Sequence, residues 1–168
     1  KAYNLTAIRD IDDMIVLHLL DSLALIPLID GKKIIDIATG AGLPGIPLAI
    51  ALPECQFTLL DSNSKKTRFV QQVILELKLD HVKVIHQRVE DYQPNEVFDC
   101  LTTRAFAQLN DIVIASRHLL KPSGVFLAMK AQPTADELVA LSSPYEIVSL
   151  DIPFLDATRC VVRIPNLF

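Results

Sequence analysis

Residues 34–45 read I-I-D-I-A-T-G-A-G-L-P-G, and this stretch leaves the chain few folds to choose from. Ile34, Ile35 and Ile37 form a short β-branched run, as expected of a strand covered on both faces. Gly40, Gly42 and Gly45 then let the backbone turn tightly and approach a ligand with no Cβ in the way. From Gly45 the pattern becomes helical, over residues 46–52. The loop therefore hands its ligand to a helix N-terminus, where free N–H groups favour negative charge. Strand, glycine loop and helix in this order open the nucleotide- or cofactor-binding half of a doubly wound α/β sheet.

The glycines satisfy G-x-G-x-x-G, so a dinucleotide site has to be weighed, although that pattern alone is weakly specific. In a dinucleotide site the helix begins almost on the second glycine. Here Pro44 biases Leu43 away from the α region, and Pro47 belongs in the first turn of a helix. The helix is thus expected to start late, near Gly45, behind a longer and wider loop. Asp36 is an acid inside the strand, just before the loop. It either braces the loop N–H groups or receives an ammonium group from a ligand.

A chain of 168 residues predicts one domain, spanning 1–168. Its 51% hydrophobic content and mean hydropathy of +0.35 suit a sheet covered on both faces. No apolar run approaches the roughly 18 residues of a membrane span. Cys55, Cys100 and Cys160 are scattered and make no C-x-x-C, so they read as buried thiols in a reducing cytoplasm. The four histidines show no metal-ligand spacing. A net charge of −4 gives no broad footprint for nucleic acid, so any RNA contact has to come from a local patch. The chain opens at Lys1 with what reads as mid-domain sequence, so an upstream segment is expected to precede it.

Further along, Asp12 or Asp13 is expected to cap a helix that runs through Met14, Val16, Leu17 and Leu20 to Ile26 and ends at Pro27. His18 and Asp21 lie three apart on it, either as a surface pair or on a face toward the pocket. A second strand, 57–60, ends at Asp61-Ser62. An acid at that tip, about 20 residues past the first glycine, can accept from both hydroxyls of a ribose. Alternatively Asp61, Ser62 or Ser64 caps the helix over 65–79, whose first turn carries Lys65, Lys66 and Arg68. Strand three is 82–85, with Val89 and Glu90 after its tip, within reach of a purine. Strand four is 98–102, and Arg104 beyond it faces the same crevice. A helix over 109–120 is ended by residues 121–124. Strand five, 125–129, leads to Lys130, followed by a short helix over 134–141. The runs 145–150 and 159–164 are joined by too few residues for a parallel crossover and should pair antiparallel. The count is seven strands, the first five joined through helices.

The motifs N-L-T (4–6), H-x-x-D-S (18–22), D-x-x-T-G-x-G-L-P-G-I-P-L (36–48), L-L-D-S with a following K-K (59–66), R-V-E (88–90), R-A-F-A-x-L (104–109) and A-M-K (128–130) occur in this order. Together they resemble the RsmG (GidB) family of small-subunit ribosomal RNA guanine-N7 methyltransferases, over nearly the whole chain. The resemblance implies a Rossmann-like class I methyltransferase fold: a seven-stranded, mostly parallel sheet ending in an antiparallel hairpin. It implies S-adenosylmethionine as cofactor and 16S rRNA or the small ribosomal subunit as partner, with no metal and no membrane, in a cytoplasmic monomer. It would set the cofactor against Asp36, Ala38, Gly40, Gly42 and Leu43, with Asp61 and Ser62 near the ribose and Val89 and Glu90 beside the adenine. Arg104 would lie near the methionine end or the incoming RNA. Independently of the resemblance, the expected topology brings His18, Asp21, Arg104 and Lys130 to one crevice, where Arg104 and Lys130 would position phosphate or base and His18 and Asp21 would shape the guanine side. Ala38 and Ala131 stand where that family usually has glycine; Ala38 can still offer its backbone if its φ is negative. Methylation of N7 needs no acid–base residue, because N7 is an exposed lone-pair acceptor. The other readings are an NAD-dependent oxidoreductase using the three glycines and Asp61, a non-catalytic RNA- or ribosome-binding module, and a small-molecule methyltransferase. The oxidoreductase predicts a crossover helix before its last strand.

Overall fold

The computed structural model describes residues 14–104 and 108–167. A seven-stranded sheet organises them, in the order β3-β2-β1-β4-β5-β7-β6. The strands are β1 (Lys33–Ile37), β2 (Gln56–Asp61), β3 (Val82–His86), β4 (Phe98–Arg104), β5 (Leu120–Lys130), β6 (Glu146–Leu150) and β7 (Arg159–Pro165). The first five run parallel, and β7 lies antiparallel between β5 and β6. The expected terminal hairpin is present, with no crossover helix before the last strand.

β1 and β4 sit centrally, and their side chains alternate between two cores. Ile34, Leu59 and Cys100 face one layer, with Leu48, Val70 and Ile74 from the helices; Ile35, Ile37, Leu101 and Phe126 face the other, with Leu109 and Ile112. This two-sided burial explains why the central strands read as apolar runs. The helices are α1 (Asp21–Leu23), α2 (Gly45–Ala51), α3 (Ser64–Leu77), α4 (Leu109–Ser116) and α5 (Ala135–Val139). Cys55, Cys100 and Cys160 are buried free thiols, as expected, and burial pushes Cys100 up to about 12.

Several expectations need correcting. The first helix is not uniform: a π-helical segment, Ile15–Leu20, runs into α1, and a 3-10 turn, Ile26–Leu28, follows. Pro27 lies inside that turn, where its missing N–H costs little. The expected caps, Asp12 and Asp13, lie outside the described residues. The β3–β4 connection contains no helix, so not all of the first five strands are joined through one. Lys121 to Gly124, read as a terminator, fall within β5, where the ladder with β4 shifts register. α3 is capped by Asn63, whose side chain accepts from the N–H groups of Lys65 and Lys66, and not by Asp61, Ser62 or Ser64. In α5 the expected short helix is fixed by a reciprocal box between Thr134 and Glu137.

Candidate active site

The C-terminal ends of β1, β2, β3 and β4 converge on one edge, where the glycine loop leaves β1. The loop is held by two acids. Asp36 is completely buried. Its Oδ2 accepts from the Thr39 hydroxyl at 2.5 Å and the Gly45 N–H at 3.1 Å, and its Oδ1 accepts from the Thr102 hydroxyl of β4 at 3.0 Å. Burial raises this carboxyl to about 6, although both hydroxyls, the Gly45 N–H and the charge of Arg104 pull the other way. Asp36 therefore braces the loop from behind, the first of the two roles its position allows, and is not among the residues that line the cleft. The helix does start at Gly45, as the prolines require. A Cβ on Gly45 would stand 2.2 Å from Leu59 Cδ2 and 2.8 Å from Asp36 Oδ2, so this residue gives α2 its close approach to β2.

The second acid, Asp61, ends β2. Its Oδ2 accepts from the Gly40 N–H at 2.9 Å and its Oδ1 from the Asn63 N–H at 2.8 Å. One carboxylate thus joins the loop to the cap of α3. Each of its oxygens keeps a second lone pair. Ala38 has φ +54°, so the negative φ on which its backbone contact depends is not met. An L-residue with a Cβ is strained in this left-handed region, and glycine is not.

In front of the loop lies a cleft of about 170 Å³. It is lined by Ile37, Ala38, Leu60, Asp61, Ser62, residues 87–90 and Ile112. The expected contacts Ala38, Asp61, Ser62, Val89 and Glu90 are all brought together here. Gln87, Arg88 and Ile112 join them, and no sequence motif assigns these three to the cofactor. Gly40 borders open space: a Cβ there would meet nothing nearer than the Ala38 carbonyl oxygen, at 3.8 Å. Gly42 and Leu43 do not line the cleft, and their N–H groups close the turn onto the Thr39 carbonyl. A much larger hollow, about 980 Å³, lies at the opposite end of the sheet, between the starts of β1, β2 and β3 and residues 92–96. It has neither the glycine loop nor the strand-tip acids, so volume does not select the site.

The positioning candidates fall into two groups. Arg104, the last residue of β4, has Nη1 3.2 Å from the Leu17 carbonyl and 3.5 Å from Asp21 Oδ2. The first helical segment thereby packs beside the crevice and brings Asp21 to it. His18 Nδ1 lies 3.1 Å from the Leu17 carbonyl. Its burial and the nearby Arg104 lower its affinity for a proton, with Asp21 opposing them. Lys130 is different. Its ammonium is paired with Glu137 of α5, and both side chains are largely buried. That pairing holds the charge against α5. Thr39, Thr102 and Asn63 are further residues of the site that sequence reasoning misses. Thr39 carries a signal, being the T of D-x-x-T, whereas Thr102 is brought in only by strand pairing.

A family profile described as "GidB: rRNA small subunit methyltransferase G" matches residues 1–159. A Ribosomal RNA small subunit methyltransferase G of Hydrogenovibrio crunogenus is 52% identical over 167 residues, covering 98% of this chain and 77% of that protein. The protein of the same name in Legionella pneumophila is 48% identical, covering 99% and 80%. Among solved structures, a predicted O-methyltransferase of Agrobacterium tumefaciens superposes with TM-score 0.70 at 18% identity, covering 88% of this chain and 80% of that one. A SAM dependent methyltransferase of Aquifex aeolicus gives 0.69 at 13% identity, covering 91% and 92%. At that identity the likeness concerns the fold, which is the class I methyltransferase fold.

Proposed function

We propose, from the fact that this chain belongs to the GidB family of small-subunit ribosomal RNA methyltransferases, that it transfers a methyl group from S-adenosylmethionine to N7 of a guanine in 16S rRNA. The observation that carries the reading is the coupling of Gly40 to Asp61 at the mouth of the cleft. A glycine backbone facing open space beside a strand-tip carboxylate fits a nucleoside cofactor. In this reading the free lone pairs of Asp61 accept from the ribose, Ser62 adjoins it, and Val89 and Glu90 flank the adenine. Gly40 faces the rest of the cofactor through its backbone, with Ala38 lining the cleft beside it. The cofactor supplies an activated methyl group on a sulfonium.

The protein's own work is then alignment. N7 presents a lone pair and carries no proton, so no side chain has to remove one. Holding N7 in line with the methyl group at near-attack distance is what the crevice contributes. Arg104, with Asp21 and His18 beside it, orients the RNA at its edge. The enzyme acts as a cytoplasmic monomer, on 16S rRNA or on the small-subunit particle.

Calorimetric titration with S-adenosylmethionine, with NADH as the competing probe, tests the cofactor. Asp61→Ala is expected to weaken S-adenosylmethionine binding about 10- to 100-fold, the loss for hydrogen bonds to a charged group. Methyl transfer to 16S rRNA, mapped by cleavage at N7-methylguanine, tests the product. Binding of NADH alone, or methylation at another base atom, overturns the proposal.

A further inference from the structure

Three separate elements meet at the crevice edge, and one of them, β7, brings an arginine that the proposed alignment does not use. Asp21 of α1 is 4% exposed and carries a formal charge. Arg104 from the end of β4 meets its Oδ2 at 3.5 Å, and Arg159 from the start of β7 places Nε 3.3 Å from its Oδ1. That Oδ1 has no hydrogen bond of good geometry, so its contact with Arg159 is electrostatic. Arg159 lies beside Cys160, which pairs with Lys130 at the C-terminal end of β5, so both arginines belong to the same edge.

One guanidinium would neutralise a buried carboxylate, and two leave an excess of one positive charge. Each arginine side chain keeps about a quarter of its surface exposed, 24% and 23%, while the acid between them keeps 5%. Among the described residues, Arg104 uses only Nη1, on Asp21 and the Leu17 carbonyl. Arg159 uses Nε on Asp21 and Nη1 on the Thr158 carbonyl. Among the described residues, Arg104 Nε and both Nη2 groups make no hydrogen bond or ion pair, so they keep donors for a ligand. A guanidinium is a planar fork that matches phosphate oxygens in pairs. A shared buried carboxylate fixes both forks and so removes much of the ordering cost of binding.

We propose that Asp21 aligns Arg104 and Arg159 as a paired clamp for a phosphate of the RNA substrate next to the target guanine. Asp21 is then a positioning residue, and Arg159 a binding residue of the site. The inference rests on the RNA-methylating function proposed above.

The test uses the full chain with rRNA or small-subunit particles, over a series of potassium chloride concentrations. Arg159→Ala is expected to raise KM for RNA about tenfold and to reduce the slope of log KM against log salt by about one, the signature of one lost phosphate contact. Affinity for S-adenosylmethionine and kcat at saturating RNA stay at wild-type values. Arg159→Lys keeps the point charge, so it restores the salt slope but only part of KM. Asp21→Asn keeps both arginines, and raises KM with the slope unchanged, which a purely structural role would not do. A folded Arg159→Ala with wild-type KM and slope overturns the clamp, as does a change in cofactor affinity in place of KM. If Arg159→Ala melts too low to assay, an unchanged KM in Arg159→Lys overturns it. A wild-type chain that neither binds the cofactor nor methylates RNA refutes the proposed function; turnover that Arg159 does not affect refutes the clamp alone.

Discussion

At the loop end of the central strand pair, Asp36 of β1 is fully enclosed and receives the Thr102 hydroxyl from β4. At the opposite end, Asp99 of β4 receives the N–H groups of Lys32 and Lys33 at the start of β1, both at 2.8 Å. Each strand thus lends the other an acid, but the environments differ. Asp99 also binds the Lys121 ammonium at 2.7 Å. Its partial burial favours the neutral form, yet Lys121 and the two N–H groups outweigh that and hold it at about 2. Among the described residues Asp36 has hydroxyls and one N–H but no bound ammonium, and burial raises it to about 6. The end that only has to hold the sheet together is charge-compensated. The end that shapes a ligand loop is not, and it carries the strained backbone of Ala38.

Four experiments would break or sharpen that contrast. Gly45→Ala has the largest expected effect: the new Cβ collides with Leu59 and Asp36, costing about 3 kcal/mol by the overpacking range, measured by chemical denaturation. Asp99→Ala strands two N–H groups and should cost about 2 kcal/mol, without changing cofactor affinity. A value as large as that of Gly45→Ala would erase the distinction between the ends.

The pH dependences should run in opposite directions. Asp36 has a folded value above its unfolded one, so folding takes up a proton, and its contribution improves as pH falls through about 6 toward 3.8. Asp99 has a depressed value, so its contribution is complete above about 3.8 and is lost as pH falls toward 2. Unfolding free energies of the wild type against Asp36→Asn and Asp99→Asn, from pH 7 to 2, would show this. Two differences that fall together on acidification would rule it out. The smallest effect is expected from Ala38→Gly, which relieves the positive φ and should change stability by at most about 1 kcal/mol in the stabilising direction. A clear loss would mean that Ala38 contributes through its methyl group.

Much of this is legible in the sequence because it rests on local rules. The β-branched run, the glycines and the two prolines are sufficient for β1, the loop and a helix beginning at Gly45. The short connection before Arg159 is sufficient for an antiparallel β7. Asp61 can be placed because its position at a strand tip is a matter of counting. What cannot be read depends on partners distant in sequence. Nothing near Asp99 announces its grip on Lys32 and Lys33, and nothing near Arg159 announces Asp21. Lys121 to Gly124 carry turn residues, yet β5 runs through them as an irregularity between the pairs Phe98–Leu120 and Cys100–Val125. The positive φ of Ala38 cannot be read from its residue type, because a φ is set by the path of the loop and not by the residue occupying it. Asn63 is hard to single out because other possible caps, Asp61, Ser62 and Ser64, stand within two residues of it.

The buried cysteines turn this chain into its own clock. Cys100 lies in central β4, Cys160 in β7 near the sheet margin, and Cys55 just before β2. A thiol-specific reagent can react with each only after its surroundings open. Cys100 should therefore be labelled at the rate of global unfolding. Cys160 should follow whatever smaller opening frees the terminal hairpin beside Arg159. The ratio of the two labelling rates would report, without any mutation, whether the edge that carries Arg159 breathes independently of the rest of the sheet.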